Sequence, residues 1–207
     1  MPSLLSIPLL LTLLTPLCSA ATIEILAHQN FGAADPFEFR PNDITAAVGD
    51  ILEFHFGAPG EGVLGGNHSV AQGTFDSPCV PPLEGGFWSG FHGINATSKE
   101  ADQVFRVEVT DTEPIVFYCA LGPHCARGMH GVVNGAGSRT LRSYRDMIDV
   151  NFEGTVPTEA PGVGGTLVNN TAVNILPAED ASAAGRQVVV SGAAALVAGV
   201  LGAVVLL

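Results

Sequence analysis

Residues 103–109, Gln-Val-Phe-Arg-Val-Glu-Val, alternate apolar and polar side chains from Phe105 onward. A period of two puts every second side chain on one face of an extended chain, so this segment predicts a half-buried strand. Thr22–Gln29 alternates in the same way, and Phe37–Pro41 is a short extended piece whose proline places it near an edge or a strand end. Ile44–Val48 runs into the turn signal Gly49-Asp50, after which Ile51–Phe56 resumes as a strand. Asn67–Gln72 is strand-like, Ile115–Cys119 is a short apolar strand, and Gly128–Asn134 predicts the last strand of the domain. No long helical period interrupts this series. Short strands spaced by turn residues imply an all-β sandwich or barrel.

One stretch departs from that habit. Ser138 reads as the cap of a short C-terminal helix with Leu141, Tyr144 and Ile148 on one face and Arg139, Arg142 and Arg145 elsewhere on it. The predicted organisation is a β-domain over 21–136, a helical extension over 137–153 and a stalk over 154–185. The stalk is expected to be flexible and disordered, because its Pro, Gly, Thr, Ala, Val and Asn residues show no periodicity.

Both ends read as processing signals. Residues 1–20 carry the apolar run Leu4–Leu17, too short to span a bilayer comfortably, and end in the small-residue site Cys18-Ser19-Ala20, as a secretory signal peptide does. From Val188 onward the chain is apolar with nothing charged after it. Ser182, Ala183, Ala184 and Gly185 are the small residues of a glycosylphosphatidylinositol (GPI) attachment window, with 186–207 as the propeptide that is removed. A signal anchor and a tail-anchored helix are the alternatives at the two ends. The sequence therefore places the protein on the extracellular side of the plasma membrane, held by a lipid, or in the wall or secreted.

Composition narrows the partners. All 20 Asp and Glu lie between Glu24 and Asp180, against 8 Lys and Arg in the whole chain. Such an acidic surface disfavours nucleic acid and anionic membranes, and a monomer is expected. Once Cys18 leaves with the signal, three cysteines remain: Cys79, Cys119 and Cys125. An odd number in an oxidising compartment is the arithmetic of one disulfide plus one metal thiolate.

The chemistry concentrates in Phe117–His130, where a thiol, an imidazole and a thioether recur at even steps as Cys119, His124 and Met129. A soft sulfur, a borderline nitrogen and a weak second sulfur suit a copper ion that cycles between two oxidation states. His68 supplies a second imidazole from a strand-like segment. Zinc bound by the same groups, or Cys119 in a disulfide without metal, are the competing readings.

With Asn67-His68-Ser69-Val70, Phe75–Cys79 and the spacing Cys-x4-His-Cys-x3-Met, residues 22–136 resemble the cupredoxins, the type 1 blue copper proteins. Within them the chain looks like the phytocyanins and the fungal GPI-anchored extracellular cupredoxins. The resemblance implies a Greek-key β-sandwich holding one copper. His68, Cys119 and His124 are then the equatorial ligands, Met129 the axial one, and Cys79 and Cys125 form the disulfide. Such a bridge closes a loop of about 47 residues, worth ~4 kcal/mol on the chain-entropy model. The resemblance also implies that the Ser69 backbone, directly after His68, bonds to the Cys119 loop. Axial Met rather than Gln implies a relatively high reduction potential.

Other residues have plainer readings. His28 and His55 are expected to be structural or at the surface, and His130 to point away from the Met129 face. His92 is a candidate shield for the site. Phe87, Trp88 and Phe91 are core or shielding residues, with a docking surface for a redox partner as the sharper alternative. Three N-glycosylation sequons begin at Asn67, Asn95 and Asn169. The first contains His68 and is expected to be buried.

The function expected is a cell-surface electron carrier with an unidentified donor and acceptor. Copper storage or delivery without redox traffic is the alternative. An enzyme is not expected. The paired His-x-His motifs of multicopper oxidases are absent, and Ala21 or Thr22, not histidine, follows the predicted cleavage site.

Overall fold

The computed structural model describes residues 20–29, 37–57, 66–94 and 100–171. The expected signal segment (apart from Ala20), Asn95, the attachment window Ser182–Gly185 and the propeptide 186–207 lie outside the described residues.

Alternating sequences become alternating faces. In β1 (Thr22–Gln29) Ile25 and Ala27 point inward. In β4 (Ile51–Phe56) Leu52, Phe54 and Phe56 do the same, while Glu53 and His55 lie on the other face. These two strands run parallel, and β2 (Phe37–Arg40) pairs antiparallel with β1. With β8 (Gln103–Glu108) and β11 (Thr166–Asn169) they form a five-stranded sheet in the order β11-β8-β4-β1-β2. The second sheet has four strands in the order β3-β10-β9-β6. These are β3 (Asp43–Ile44), β6 (Ala71–Gln72), β9 (Ile115–Tyr118) and β10 (His130–Val133). A small ribbon pairs β5 (Asn67–His68) with β7 (His92–Gly93).

The core lies between the two larger sheets. Phe117 of the second sheet meets Phe39 and Phe54 of the first edge to face, with ring centroids 5.0 and 5.2 Å apart. Cys119 and Met129 belong to this same apolar cluster. Burial of aromatic surface between the two sheets stabilises the sandwich.

Ile44–Val48 pairs only at its start. The Ala46 amide is taken by Asn134 Oδ1 at 2.9 Å and the Ala47 amide by Asp50 Oδ2 at 2.8 Å, so side chains replace a neighbouring strand. The helix is shorter than its pattern suggested: α1 spans Leu141–Asp146, and its cap is Thr140, not Ser138. Ser143 decides this, because its hydroxyl accepts from the Thr140 amide while Thr140 Oγ1 accepts from the Ser143 amide, a reciprocal capping box. Tyr144, Leu141 and Ile148 pack against Val116 and Val132 on the outer face of the second sheet.

The stalk expectation needs correction over its first part. Residues 154–170 run back across the domain instead of leaving it. The Gly154 amide donates to Gly122 O at 2.7 Å, Tyr118 Oη to Thr155 O at 2.6 Å, and the Trp88 amide to Val163 O at 2.9 Å. The segment then adds β11 to the edge of the first sheet, which makes β11, not β10, the last strand. An unpaired β8 edge was available, and Thr166-Leu167-Val168 offered β-branched and apolar side chains to it. Residues 172–185 lie outside the described residues. Among the described residues no helix is long and apolar enough to cross a membrane.

Candidate metal centre

Strand ends deliver the donors. β5 ends on His68, β9 runs directly into Cys119, and His124 lies on the turn that leads to Met129 and β10. The nitrogen of His68, the thiol of Cys119 and the nitrogen of His124 all lie within 4.8 Å of one another. Cys119 Sγ stands 3.5 Å from His124 Nδ1. The two histidine rings have centroids 5.4 Å apart.

Backbone hydrogen bonds close the loop that carries three of these residues. The Cys119 amide donates to Met129 O at 3.0 Å, and the Met129 amide donates to His124 O at 2.9 Å. Met129 is fully buried in the main core beside Cys119. Cys79 and Cys125 are joined by a disulfide with Cα atoms 5.9 Å apart, which pins the residue next to His124. Cys119 is the free cysteine among the described residues, and it is buried.

The surroundings of the sulfur are polar at chosen points only. Ser69 Oγ lies 3.6 Å from Cys119 Sγ and accepts from the Ala120 amide at 3.0 Å. The backbone amides of Leu121 and Ser69 also direct hydrogen bonds to the sulfur. The Ser69 backbone was expected here; its hydroxyl and the Leu121 amide were not, since neither residue type signals a role without the fold around it. Burial pushes the Cys119 thiol up, and these hydrogen bonds oppose it.

His68 is buried, and both of its ring nitrogens lack a hydrogen-bond partner. Buried polar atoms are rarely left so, and an unpaired imidazole at the meeting point of a thiol and a second imidazole is what a metal ligand looks like before the metal is counted. Burial, then the charges of His124 and His28, lowers the His68 pKa to about 3. Burial followed by the Arg127 guanidinium lowers His124 to about 4. Both rings are therefore neutral at ordinary pH, as ligation requires. Gly66 lies close beside them, and a Cβ there would press on the His68 ring at 3.0 Å from Nε2. The donor set of one thiol and two imidazoles, with a thioether in the same core, fits copper by ligand type.

The remaining histidines have other duties. His92 pairs across the ribbon with His68, stacks on Phe56 at 4.2 Å and bonds to Ser89 O at 3.0 Å, so it walls the His68 side. His130 packs against Tyr144, on the face opposite the core that holds Met129. His28 is buried against Glu38 at 3.0 Å. His55 lies within reach of Glu24 and Glu53, a second group with ligand-like spacing. Two of its members, His55 and Glu53, are already paired with each other and with neighbours outside the group. His55 Nε2 meets Glu53 at 2.8 Å, its Nδ1 meets Glu100 at 3.2 Å, and Arg106 holds the other oxygen of Glu53.

Phe87 and Trp88 are buried, as core or shielding residues are, while Phe91 is partly exposed against Trp88. Asn67 is exposed although His68 and Ser69 beside it are buried, so the expectation of a buried first sequon holds for two of its three residues only. Asn169 is exposed at the end of β11.

No protein-family profile matches the chain. A protein of Arthroderma benhamiae named "Probable GPI-anchored cupredoxin-1" is 32% identical over 186 residues, covering 89% of this chain and 89% of that one. An "Extracellular serine-rich protein" of the same organism is 30% identical over 155 residues, which is 74% of this chain and 54% of the relative. Among solved structures, rusticyanin from Thiobacillus ferrooxidans matches 56% of this chain and 77% of its own at 22% identity, with a TM-score of 0.39. Auracyanin A from Chloroflexus aurantiacus matches 56% and 98% at 14% identity, with a TM-score of 0.36. Identity at the level of the first relative, sustained over nine-tenths of both chains, is kinship of the whole molecule, and this chain belongs to the cupredoxin family.

Proposed function

We propose that the protein is a type 1 blue copper protein at the cell surface that carries one electron at a time. The observation that carries this reading is the convergence of His68, Cys119 and His124, two of them sealed from water and the third half-buried. His68, Cys119 and His124 would hold the ion, with Met129 as the weak fourth donor. Copper bound there supplies a one-electron couple at a thiolate.

The chain's own residues do the rest. Two sheets and a disulfide fix the donors before the metal arrives, so little needs to move between oxidation states. The apolar cluster in which Cys119 is buried, with Phe117 and Val70 among its members, keeps water from the sulfur. Ser69 and the Leu121 amide hold hydrogen bonds on it and weaken its donation to the ion. His124 is the ligand with an edge toward solvent, which makes it the point where an electron enters or leaves. No residue is assigned a catalytic role, and the reading is of a carrier, not an enzyme. The relatives named GPI-anchored and extracellular support a place outside the cell on a lipid anchor; the donor and acceptor at that surface are unidentified.

Purified protein loaded with Cu(II) tests this. An intense visible charge-transfer band that Cys119→Ser abolishes supports the blue centre, and no band in loaded wild type sinks it. Fast electron self-exchange then supports the carrier; a sluggish exchange with very tight Cu(I) binding assigns storage or delivery instead.

A further inference from the structure

The backbone of His124 is well fixed, but its ring is not fixed by the backbone. The loop hydrogen bonds from Met129 and Arg127 to His124 O hold the main chain alone. What lies flat on the imidazole is Phe37, at 3.8 Å between centroids and 19° between planes. Phe37 comes from the other sheet, at the start of β2, where pairing with Gln29 of β1 sets its position. The turn that carries His124 also returns Arg127 to the same aromatic ring, with its guanidinium carbon 5.0 Å from the centroid. One turn thus sets an imidazole and a cation on a single phenyl ring. Phe37 is buried and Arg127 exposed, so the ring is an apolar mount whose cation faces water.

We propose that Phe37 and Arg127 are positioning residues for His124, the phenyl ring fixing the plane of the ligand and the guanidinium biasing the centre toward its reduced state. This rests on the copper reading above. The physical basis is short. A stacked phenyl ring removes water from one face of the imidazole and resists its rotation. The oxidised centre carries one more positive charge than the reduced one, so a cation held nearby disfavours oxidation. The guanidinium is held by its attraction to the phenyl ring, so its effect depends on Phe37 being there.

The test uses Phe37→Leu, Arg127→Gln and the double variant. In the copper-free protein, NMR of the His124 ring protons reports the stack directly. Phe37→Leu is expected to shift those signals downfield by loss of the ring current and to leave His68 unmoved. In the copper-loaded protein, Arg127→Gln is expected to shift the reduced-to-oxidised ratio at fixed potential about threefold toward oxidised, or ~28 mV at 59 mV per tenfold for one electron. In the Phe37→Leu background the Arg127→Gln shift is expected to fall below half of that. Arg127 is exposed, so its variant serves even where Phe37→Leu does not fold. A charge-transfer band present with an unmoved potential in Arg127→Gln overturns this inference alone. A band absent from loaded wild type overturns the copper reading with it. A variant that loses only stability while His124 signals stay in place makes Phe37 simple core filling and overturns the proposal as well.

Discussion

Ser69 and Cys119, fifty residues apart in the chain, meet through the Ser69 hydroxyl, which stands 3.6 Å from the thiol sulfur and 3.0 Å from the amide of the next residue, Ala120. One oxygen thereby ties the segment bearing His68 to the loop bearing Cys119. Ser69→Ala removes both contacts and leaves a buried amide without its acceptor. A loss of about 1–3 kcal/mol in unfolding free energy is expected from denaturant titration. In the copper-loaded protein the reduction potential is expected to fall, because a thiolate relieved of a hydrogen bond donates more strongly to Cu(II). An unchanged potential assigns the serine a purely structural role.

Tyr144 does comparable work at a distance from the donors. Its hydroxyl accepts from the Cys79 amide at 2.7 Å, and Cys79 stands in the left-handed region at φ 62°, where a residue with a Cβ needs support. Tyr144→Phe is expected to destabilise the fold by about 1–3 kcal/mol through that unsatisfied amide. The visible band of the copper-loaded variant should keep its position. A band that moves makes the helix part of the centre's tuning.

Removal of both bridge cysteines, Cys79→Ser with Cys125→Ser, opens a loop whose ends are 46 residues apart. The chain-entropy model puts the loss at ~4 kcal/mol. Since Cys125 adjoins His124, Cu(I) affinity measured by competition with a chelator should fall as well. Undiminished affinity with lowered stability separates the clamp from the ligand.

The polar network on the outer face of the first sheet sets a pH dependence. Burial lowers the His55 pKa, and the carboxylates of Glu100 and Glu53 more than reverse this, so the net shift is upward from 6.5. Burial raises Glu100, and its bonds to His55 and Asn170 carry it net below 4.5. A raised imidazolium stabilises fully below 6.5, and that stability is lost as the pH rises through the raised value. A lowered carboxylate stabilises above 4.5, and that stability is lost as the pH falls through the lowered value. The gap in Tm between wild type and His55→Gln should therefore be widest between 4.5 and 6.5 and narrow on both sides. A gap that is flat with pH removes the charge from the account of His55.

Much of this was legible in the chain because the signals are local. Alternation in Thr22–Gln29, Ile51–Phe56 and Gln103–Glu108 needs only side-chain parity, and those strands stand where parity placed them, to within a residue. Cys119, His124 and Met129 share one loop, so residue type and spacing carried them; the count of cysteines outside the signal left one thiol unpaired, and the resemblance to the cupredoxins implied which. The cap at Thr140 was misplaced to Ser138 because two hydroxyl residues compete there and the reciprocal bond with Ser143 decides between them.

Tertiary structure decided what depends on distant partners. Residues 154–170 lack periodicity on their own and become ordered only by borrowing the carbonyl and amide groups of Gly122, Trp88 and β8. The buried His55 pairs with acids that are unremarkable in sequence. Nothing in the run Phe37-Glu38-Phe39 announces a residue that lies on the ring of His124, 87 positions later, because stacking is set by how two sheets face each other. Donor identity was written in the sequence by residue chemistry. Donor geometry, and the ring and hydroxyl that hold it, came from the packing of the sandwich.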